Sequence, residues 1–295
     1  MANGSRWGRF RASEAASGYA LVSPTAIYAI LLLATPMATI LIYSVMTSAG
    51  GGVTLPFTLS NYQEVWGGRI YQAVMIRSLW ISTAVTATTV LLAYPVAYYV
   101  SFHVAPSRKS LWLFLITIPF WTSYVIRVAL WRVILGYEGV VDSALLGTGL
   151  AAEPLNILAN GPLAIVITLA HAYAPFAILP IFVSLEKVDR ALLEAGQDLG
   201  ESRWTTFLRV TLPLSMPGVL AAVLIVFIPT VGDYITPELI GGGRTPMIAN
   251  LIESEMLRQR DQAVGSAIAV TVMLIVGVIS AVFLLLNRRF IGGAK

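Results

Sequence analysis

The 295-residue sequence has no cysteine, which excludes disulfides, thiolate metal sites and a cysteine nucleophile. Charge is scarce. Asp, Glu, Lys and Arg make up 12% of the residues, against ~25% in soluble domains, so the expected solvent is a membrane. Histidine occurs at His103 and His171 alone. The two stand far apart without a metal-ligand pattern, and His171 reads first as a packed polar residue and second as a ligand or proton relay. There is no G-x-x-x-x-G-K-[ST] run, so ATP cannot be hydrolysed here by that route. No nucleophile–base pair stands out, and neither a catalytic residue nor a bound metal or cofactor is expected. No low-complexity linker or tandem repeat divides the chain, which reads as one domain, 1–295.

What is abundant is apolar. Hydrophobic residues make up 57% and the mean hydropathy is +0.78. A span needs ~20 mostly apolar residues, and six candidates follow: Tyr19–Met46, Ser78–Phe102, Leu111–Leu135, Gly161–Leu185, a fifth after Pro213, and Ala263–Leu286. The first is far longer than the ~7–15 residues of a signal-peptide core, so it reads as an uncleaved span. The fifth is irregular. Its uninterrupted run Gly218–Val231 meets Gly232-Asp233-Tyr234 and Pro237, and such a break is tolerated where it is buried in protein or lines a cavity. It is the one span that reads as broken. The loop 47–77 reads as re-entrant or interfacial, and Met247–Arg260 as a short surface helix.

Basic residues set the orientation. The N-tail 1–18 (Arg6, Arg9, Arg11), Arg108 and Lys109, the loop 186–213 (Lys187, Arg190, Arg203, Arg209) and the C-tail (Arg288, Arg289, Lys295) hold twelve of the 19 Lys and Arg. The loop Gly136–Asn160 holds none. By the positive-inside bias the first group, with both termini, is cytoplasmic. Six spans satisfy this; five or seven would not.

The stretch Asp189–Pro213 is the one long charged run. Asp189 can cap a helix that begins at Arg190. Gly196 and Gly200 lie four apart on one face, where the missing side chains permit close approach, and Gly200 can also end the helix in the left-handed conformation. Ser202 can cap a second helix, Arg203–Val210, that stops at Pro213. The expected result is a helix–Gly–helix elbow, which by itself reads as a solvated loop with ordinary caps.

The motif in it says more. Glu194-Ala195-Gly196, three residues, Gly200, nine residues, then Val210-Thr211-Leu212-Pro213 resembles the EAA loop of permease subunits of bacterial ABC importers, Glu-Ala-Ala, x3, Gly, x9, Ile-x-Leu-Pro. Gly196 replaces the second Ala and Val210 the Ile. The resemblance implies an all-α integral membrane protein of the type I ABC importer permease fold, with six transmembrane helices, in the bacterial inner membrane. It implies that Glu194, Ala195, Gly196, Gly200, Leu212 and Pro213 form the coupling contact with a separate ATPase, which uses ATP and Mg. The implied assembly has a second, different permease chain, two ATPase subunits and a periplasmic substrate-binding protein; no nucleic acid is involved.

Pro119-Phe120-Trp121-Thr122-Ser123 with Arg127, and the run Gly232–Gly242, further resemble the first permease of spermidine/putrescine importers. A polyamine path needs carboxylates and aromatic faces, each cation–π contact being worth ~0.5–2 kcal/mol. Intramembrane acids are functional candidates by default, so Asp233 and Glu238 are proposed path residues, with Tyr234, Trp121, Tyr124 and Tyr173 as aromatic walls. Asp233 can instead cap or pair, and Trp and Tyr are common interface anchors. Arg127 and Arg132 cut against a purely cation-friendly path. Either they pair with Glu138 and Asp142, or they face the cavity and favour an anionic or zwitterionic amino compound. Two other classes compete with an importer: an ion-coupled secondary transporter, which predicts paired broken helices, and a membrane-embedded hydrolase, which needs a constellation that the sequence does not show.

Overall fold

The computed structural model describes residues 14–157, 161–241 and 244–291. Arg6, Arg9, Arg11, Lys295, Gly242 and Gly243 lie outside them. The first span is a helix, α1, over Glu14–Tyr43. It ends three residues before the expected Met46, because Met46–Ala49 and Gly52–Phe57 pair as an antiparallel hairpin, β1 and β2. Gly50 and Gly51 turn it at positive φ. A short helix α2, Ser60–Gly67, leads into α3, Arg69–Phe102. The loop 47–77 is therefore not loop throughout. Its hairpin is held by buried Asn61, whose Nδ2 donates to the Ser44 and Met46 carbonyls, and its last residues are already the second span.

Next come α4, Pro106–Thr117, a 3-10 turn over Ile118–Trp121, and α5, Tyr124–Ile134. The expected straight third span is bent by 88° between these helices. Pro119 supplies the reason: it has no N–H to continue the ladder. The chain runs extended at Thr122 (ψ 145°) and Ser123 (ψ 137°) before α5 begins. A small helix α6, Val140–Gly147, precedes α7, Gly161–Leu185, whose bounds are those read from the sequence.

The elbow follows as α8, Arg190–Asp198, and α9, Arg203–Thr206. The second arm does not stop at Pro213. A π turn, Phe207–Thr211, carries it directly into α10, Leu212–Val231, making one apolar helical run from Arg203 to Val231. Pro213 falls just past the π turn, whose wider winding eases the ring past the preceding carbonyls. The fifth span is thus long and breaks only at its far end, after Val231. Then come α11, Ile235–Ile240, α12, Ile248–Glu253, a π turn over Ser254–Arg258, α13, Gln262–Leu286, and α14, Arg288–Ile291. The segment 247–260 is a surface helix only in part: residues 257–260 are exposed, but its start is not. Met247 and Ile248 are fully buried, and the Ile248 N–H donates to Ser78 Oγ of α3 at 2.7 Å.

The core is built on α3, α7 and α10. Ile81, Val85, Ala93, Ala97 and Val100 pack against Ile165, Leu169, Ala177 and Ile181, with Ala222 and Val226 closing the third side. A second cluster joins α2, α3, α12 and α13 through Val65, Val74, Ile248 and Ile268. Five helices among the described residues are long and apolar enough to cross a membrane, and the bent pair makes a sixth. The chain between α3 and α7 has to change sides, and the bent pair is its apolar part. Ser101 at the end of α3 touches Glu186 just past α7, so both helices end on one side. The chain between them has to return to the other side, about 37 Å away along the 25 residues of α7. The elbow lies on the first side, called the elbow end below, and Asp233 lies at the far end.

Gly218 sets the crossing of α7 and α10. A Cβ there would overlap the Pro180 carbonyl oxygen and the Ser184 Cβ. We therefore expect Gly218→Leu to destabilise the protein by about 1–3 kcal/mol or more, seen as a lower Tm in detergent, with Gly218→Ala intermediate. An unchanged Tm for Gly218→Leu would show that the two helices do not meet there.

Candidate functional site

The elbow is built by local capping. The Asp189 carboxylate accepts from the Ala191 N–H at 2.9 Å and Ser202 Oγ from the Thr205 N–H at 3.2 Å, two caps each worth ~0.5–2 kcal/mol. Between them Gly200 sits at φ +84°. Its N–H donates to the Gln197 carbonyl at 2.9 Å, and the Glu201 N–H to the Gly196 carbonyl at 3.1 Å, the paired bonds of a Schellman turn. Gly196 works inside the chain: a Cβ there would lie 3.2 Å from Thr206 Cγ2 of the second arm. Nothing lies within 4 Å of the Cβ position at Gly200. Glu194 and Ala195 are exposed on α8, whereas Leu212 and Pro213 are half-buried in α10.

Sequence reasoning missed the most telling elbow residues. Leu199 is 86% exposed and Trp204 68% exposed, the most exposed large apolar groups of the elbow, with Leu192 and Leu208 exposed less. The available signal was their position inside the charged run. Also missed was a clasp behind the elbow. Glu186 Oε1 accepts from Ser101 Oγ and from Lys109 Nζ, each at 2.6 Å. Burial pushes the Glu186 carboxyl up, but the hydrogen bonds from Lys109 and Ser101 and the charges of Lys109 and Arg190 outweigh this and hold it below the usual carboxylate value. The clasp is therefore complete at neutral pH, and its contribution is lost only as pH falls through that lowered pKa.

At the far end, two helix breaks meet. Asp233 follows the end of α10 and is buried. Its Oδ1 accepts from the Ile235 and Thr236 N–H groups at 3.1 and 3.4 Å, starting α11, and its Oδ2 accepts from Tyr124 Oη at 2.8 Å. Tyr124 Oη is also 2.8 Å from Thr236 Oγ1. Arg127, one turn along α5, reaches back across the bend. Its Nη2 donates to the Pro119 carbonyl at 2.6 Å and the Thr122 carbonyl at 3.1 Å. Its guanidinium lies 5.9 Å from the Phe120 ring centre, and its Nε is buried without a partner. Arg127, Tyr124 and Tyr173 line a cavity of about 280 Å³, with Phe120, Thr122, Ala172 and Phe176 completing the wall.

The proposed path residues thus divide into two groups. Tyr124, Arg127, Tyr173 and Asp233 come together. Trp121 is 74% exposed with its ring edge on Phe114, Tyr234 is half-exposed, and Glu238 lies 3.6 Å from Arg258 in a surface ion pair. Among the described residues, Glu138 and Asp142 partner neither arginine. Asp142 Oδ1 instead accepts from the Leu155 N–H at 3.0 Å, and Arg132 is exposed. His171 Nδ1 accepts from Trp131 Nε1 at 3.1 Å, and no group of three His, Cys, Asp or Glu that could hold a metal occurs among the described residues.

A match to the family described as the binding-protein-dependent transport system inner membrane component covers residues 26–292. The chain belongs to that family. It is 34% identical over 265 residues to the spermidine/putrescine transport system permease protein PotB of Haemophilus influenzae, covering 88% of this chain and 92% of that protein. The PotB of Escherichia coli K12 is 34% identical over 241 residues, covering 80% and 86%. The solved structure of a bacterial ABC transporter that imports the acidic polysaccharide alginate superposes with a TM-score of 0.73 at 17% identity, covering 98% and 99%. That likeness shows the fold alone. The fold is that of a type I importer permease, and the chain is a transport component rather than an enzyme.

The elbow's geometry can be tested directly. Gly200→Asn should keep the turn, since Asn tolerates the left-handed region, whereas Gly200→Val should strain it by roughly 1–2 kcal/mol. Hydrogen exchange at the Glu201 amide reads the difference. Exchange should accelerate in the Val variant and stay near wild type in the Asn variant; equal exchange in both would refute the turn.

Proposed function

We propose that this chain is one of two permease subunits of an ATP-driven importer and forms half of the path for a polyamine such as spermidine or putrescine. The observation that carries the substrate is the 34% identity, across 88% of the chain, to a protein named as a spermidine/putrescine permease. In this reading the elbow end is cytoplasmic. Arg108, Lys109, Lys187, Arg190, Arg203, Arg209, Arg288 and Arg289 all belong to that end of the chain, as the positive-inside bias requires. The exposed Leu199 and Trp204, framed by Glu194 and Asp198, insert into a cleft on a separate ATPase that holds ATP and Mg. Large apolar groups held in water by capped helices call for such a cover. A periplasmic binding protein delivers the substrate to the far end.

There the Tyr124–Asp233 contact is the closed state of the path. An ammonium group of the substrate replaces the Tyr124 hydroxyl on Asp233, and the rings of Tyr124, Tyr173 and Phe176 follow its methylene chain. One observation favours a second reading: Arg127 faces the same cavity with no carboxylate partner, which suits a zwitterionic amino compound.

Reconstitution of the full importer in proteoliposomes tests the proposal. Spermidine-loaded binding protein should stimulate ATP hydrolysis and drive spermidine uptake. A binding screen in which the cognate binding protein takes an amino acid derivative and no polyamine would replace the first reading with the second. Within the same assembly, Asp233→Asn should lower kcat/KM for spermidine roughly tenfold or more, the loss expected of one hydrogen bond to a charged group, while basal ATP hydrolysis persists. Unchanged uptake would remove Asp233 from the path.

A further inference from the structure

Two stretches that are distant in sequence, 101–109 and 186–190, meet at one carboxylate at the elbow end. Glu186 lies one residue beyond α7 and three before the cap of the elbow. It holds Ser101 in the last turn of α3 and Lys109 in the first turn of α4, each at 2.6 Å. Arg190, the first residue of α8, donates to the Ser101 carbonyl at 3.4 Å. Ser101 is buried, and Val104 and Val188 are buried beside it.

None of the residues of α4 is buried; Leu113 and Ile116 pack part-buried against the core, and Lys109 ties down its first turn. Beyond α4 the chain passes the 88° bend, which Arg127 braces by taking the Pro119 and Thr122 carbonyls. The bent third span then carries Tyr124 to Asp233. A continuous series of discrete contacts thus runs from the elbow to the far-end closure.

We propose that Glu186 is a positioning residue for energy coupling: with Ser101 and Lys109 it clasps the elbow to α3 and α4, so that movement of the elbow is delivered through the bent third span to the Tyr124–Asp233 contact. The clasp suits this task better than it suits stability. The Glu186 side chain is 35% exposed and that of Lys109 14%, and a partly exposed ion pair adds only modestly to folding. Geometry is what it supplies. Without it, the elbow can move while α4 stays behind.

The proposal rests on the reading that an ATPase drives the elbow, and the test separates the two. In the reconstituted importer, Glu186→Gln and Lys109→Met should leave Tm and ATPase binding near wild type. ATP hydrolysis stimulated by the loaded binding protein should continue, while spermidine carried per ATP hydrolysed falls about threefold or more. Lys109→Arg keeps the pair and should keep the ratio. A wild-type ratio in Glu186→Gln and Lys109→Met, or loss of coupling in Lys109→Arg equal to that in Lys109→Met, would overturn the clasp.

A second measurement needs no transported substrate. The sequence has no cysteine, so spin labels at Gln197 in the elbow and Ser110 in α4 can be placed singly. Their separation should stay fixed between ATP-free and ATP-bound importer in the wild type and change in Glu186→Gln. If it changes equally in both, the clasp does not transmit movement. A wild-type importer that hydrolyses ATP but carries no spermidine counts against the substrate reading alone.

Discussion

Hydrocarbon offers no hydrogen bond to a carbonyl that has left its helix, and two spans of this chain leave theirs at the same end. The solution at each is a side chain supplied by the local sequence. Arg127 takes the carbonyls released at the Pro119 bend, and Asp233 takes the amides released at the start of α11. Tyr124 joins the two by reaching from α5 to Asp233. A buried carboxylate or guanidinium without such partners costs several kcal/mol. The same contacts that make the breaks tolerable therefore also fix where α5, α10 and α11 stand relative to one another.

The elbow end solves the opposite problem. Water satisfies its backbone readily, so caps at Asp189 and Ser202 and the left-handed Gly200 are needed to give it one shape rather than many. Shape there matters because the second arm is not a separate helix but the first turns of a continuous run into α10. Rotation of the elbow is rotation of a core span. The first arm is tied just as closely to the ends of α3 and α4 through Glu186 and Arg190.

Much of this was legible in residues. α7 has the bounds of its apolar run, and Asp189, Gly200 and Ser202 act as their residue types require, because capping and left-handed turns depend on neighbours within a few positions. The bend of the third span was not legible, although Pro119 stands in the middle of it. Prolines in α1, α3, α7 and α10 are accommodated inside uninterrupted helices, so a proline by itself does not say which helix will break. Arg127 is what distinguishes Pro119, and its use of carbonyls rather than Glu138 or Asp142 is a fact of three dimensions. Pro213 misled in the other direction, read as a stop where a π turn absorbs it. Lys109 and Glu186 are 77 residues apart and share no pattern, so no periodicity could have paired them.

In the proposed path, the far-end geometry also constrains the opening. Asp233 has one oxygen committed to the amides of Ile235 and Thr236 and the other to Tyr124. Breaking the amide contacts would unwind the start of α11 and leave backbone donors stranded. Breaking the Tyr124 contact leaves a hydroxyl that Thr236 Oγ1 at 2.8 Å can still satisfy, and an Oδ2 that must take a new donor in exchange. Oδ2 is thus the face that can exchange partners at small cost, and it is the face that a movement of α5 would uncover. Arg127 cannot follow a cation there, since its Nη2 is held by the bend itself. It stays as a fixed positive charge on the wall, while the negative end of the site is the part that can open.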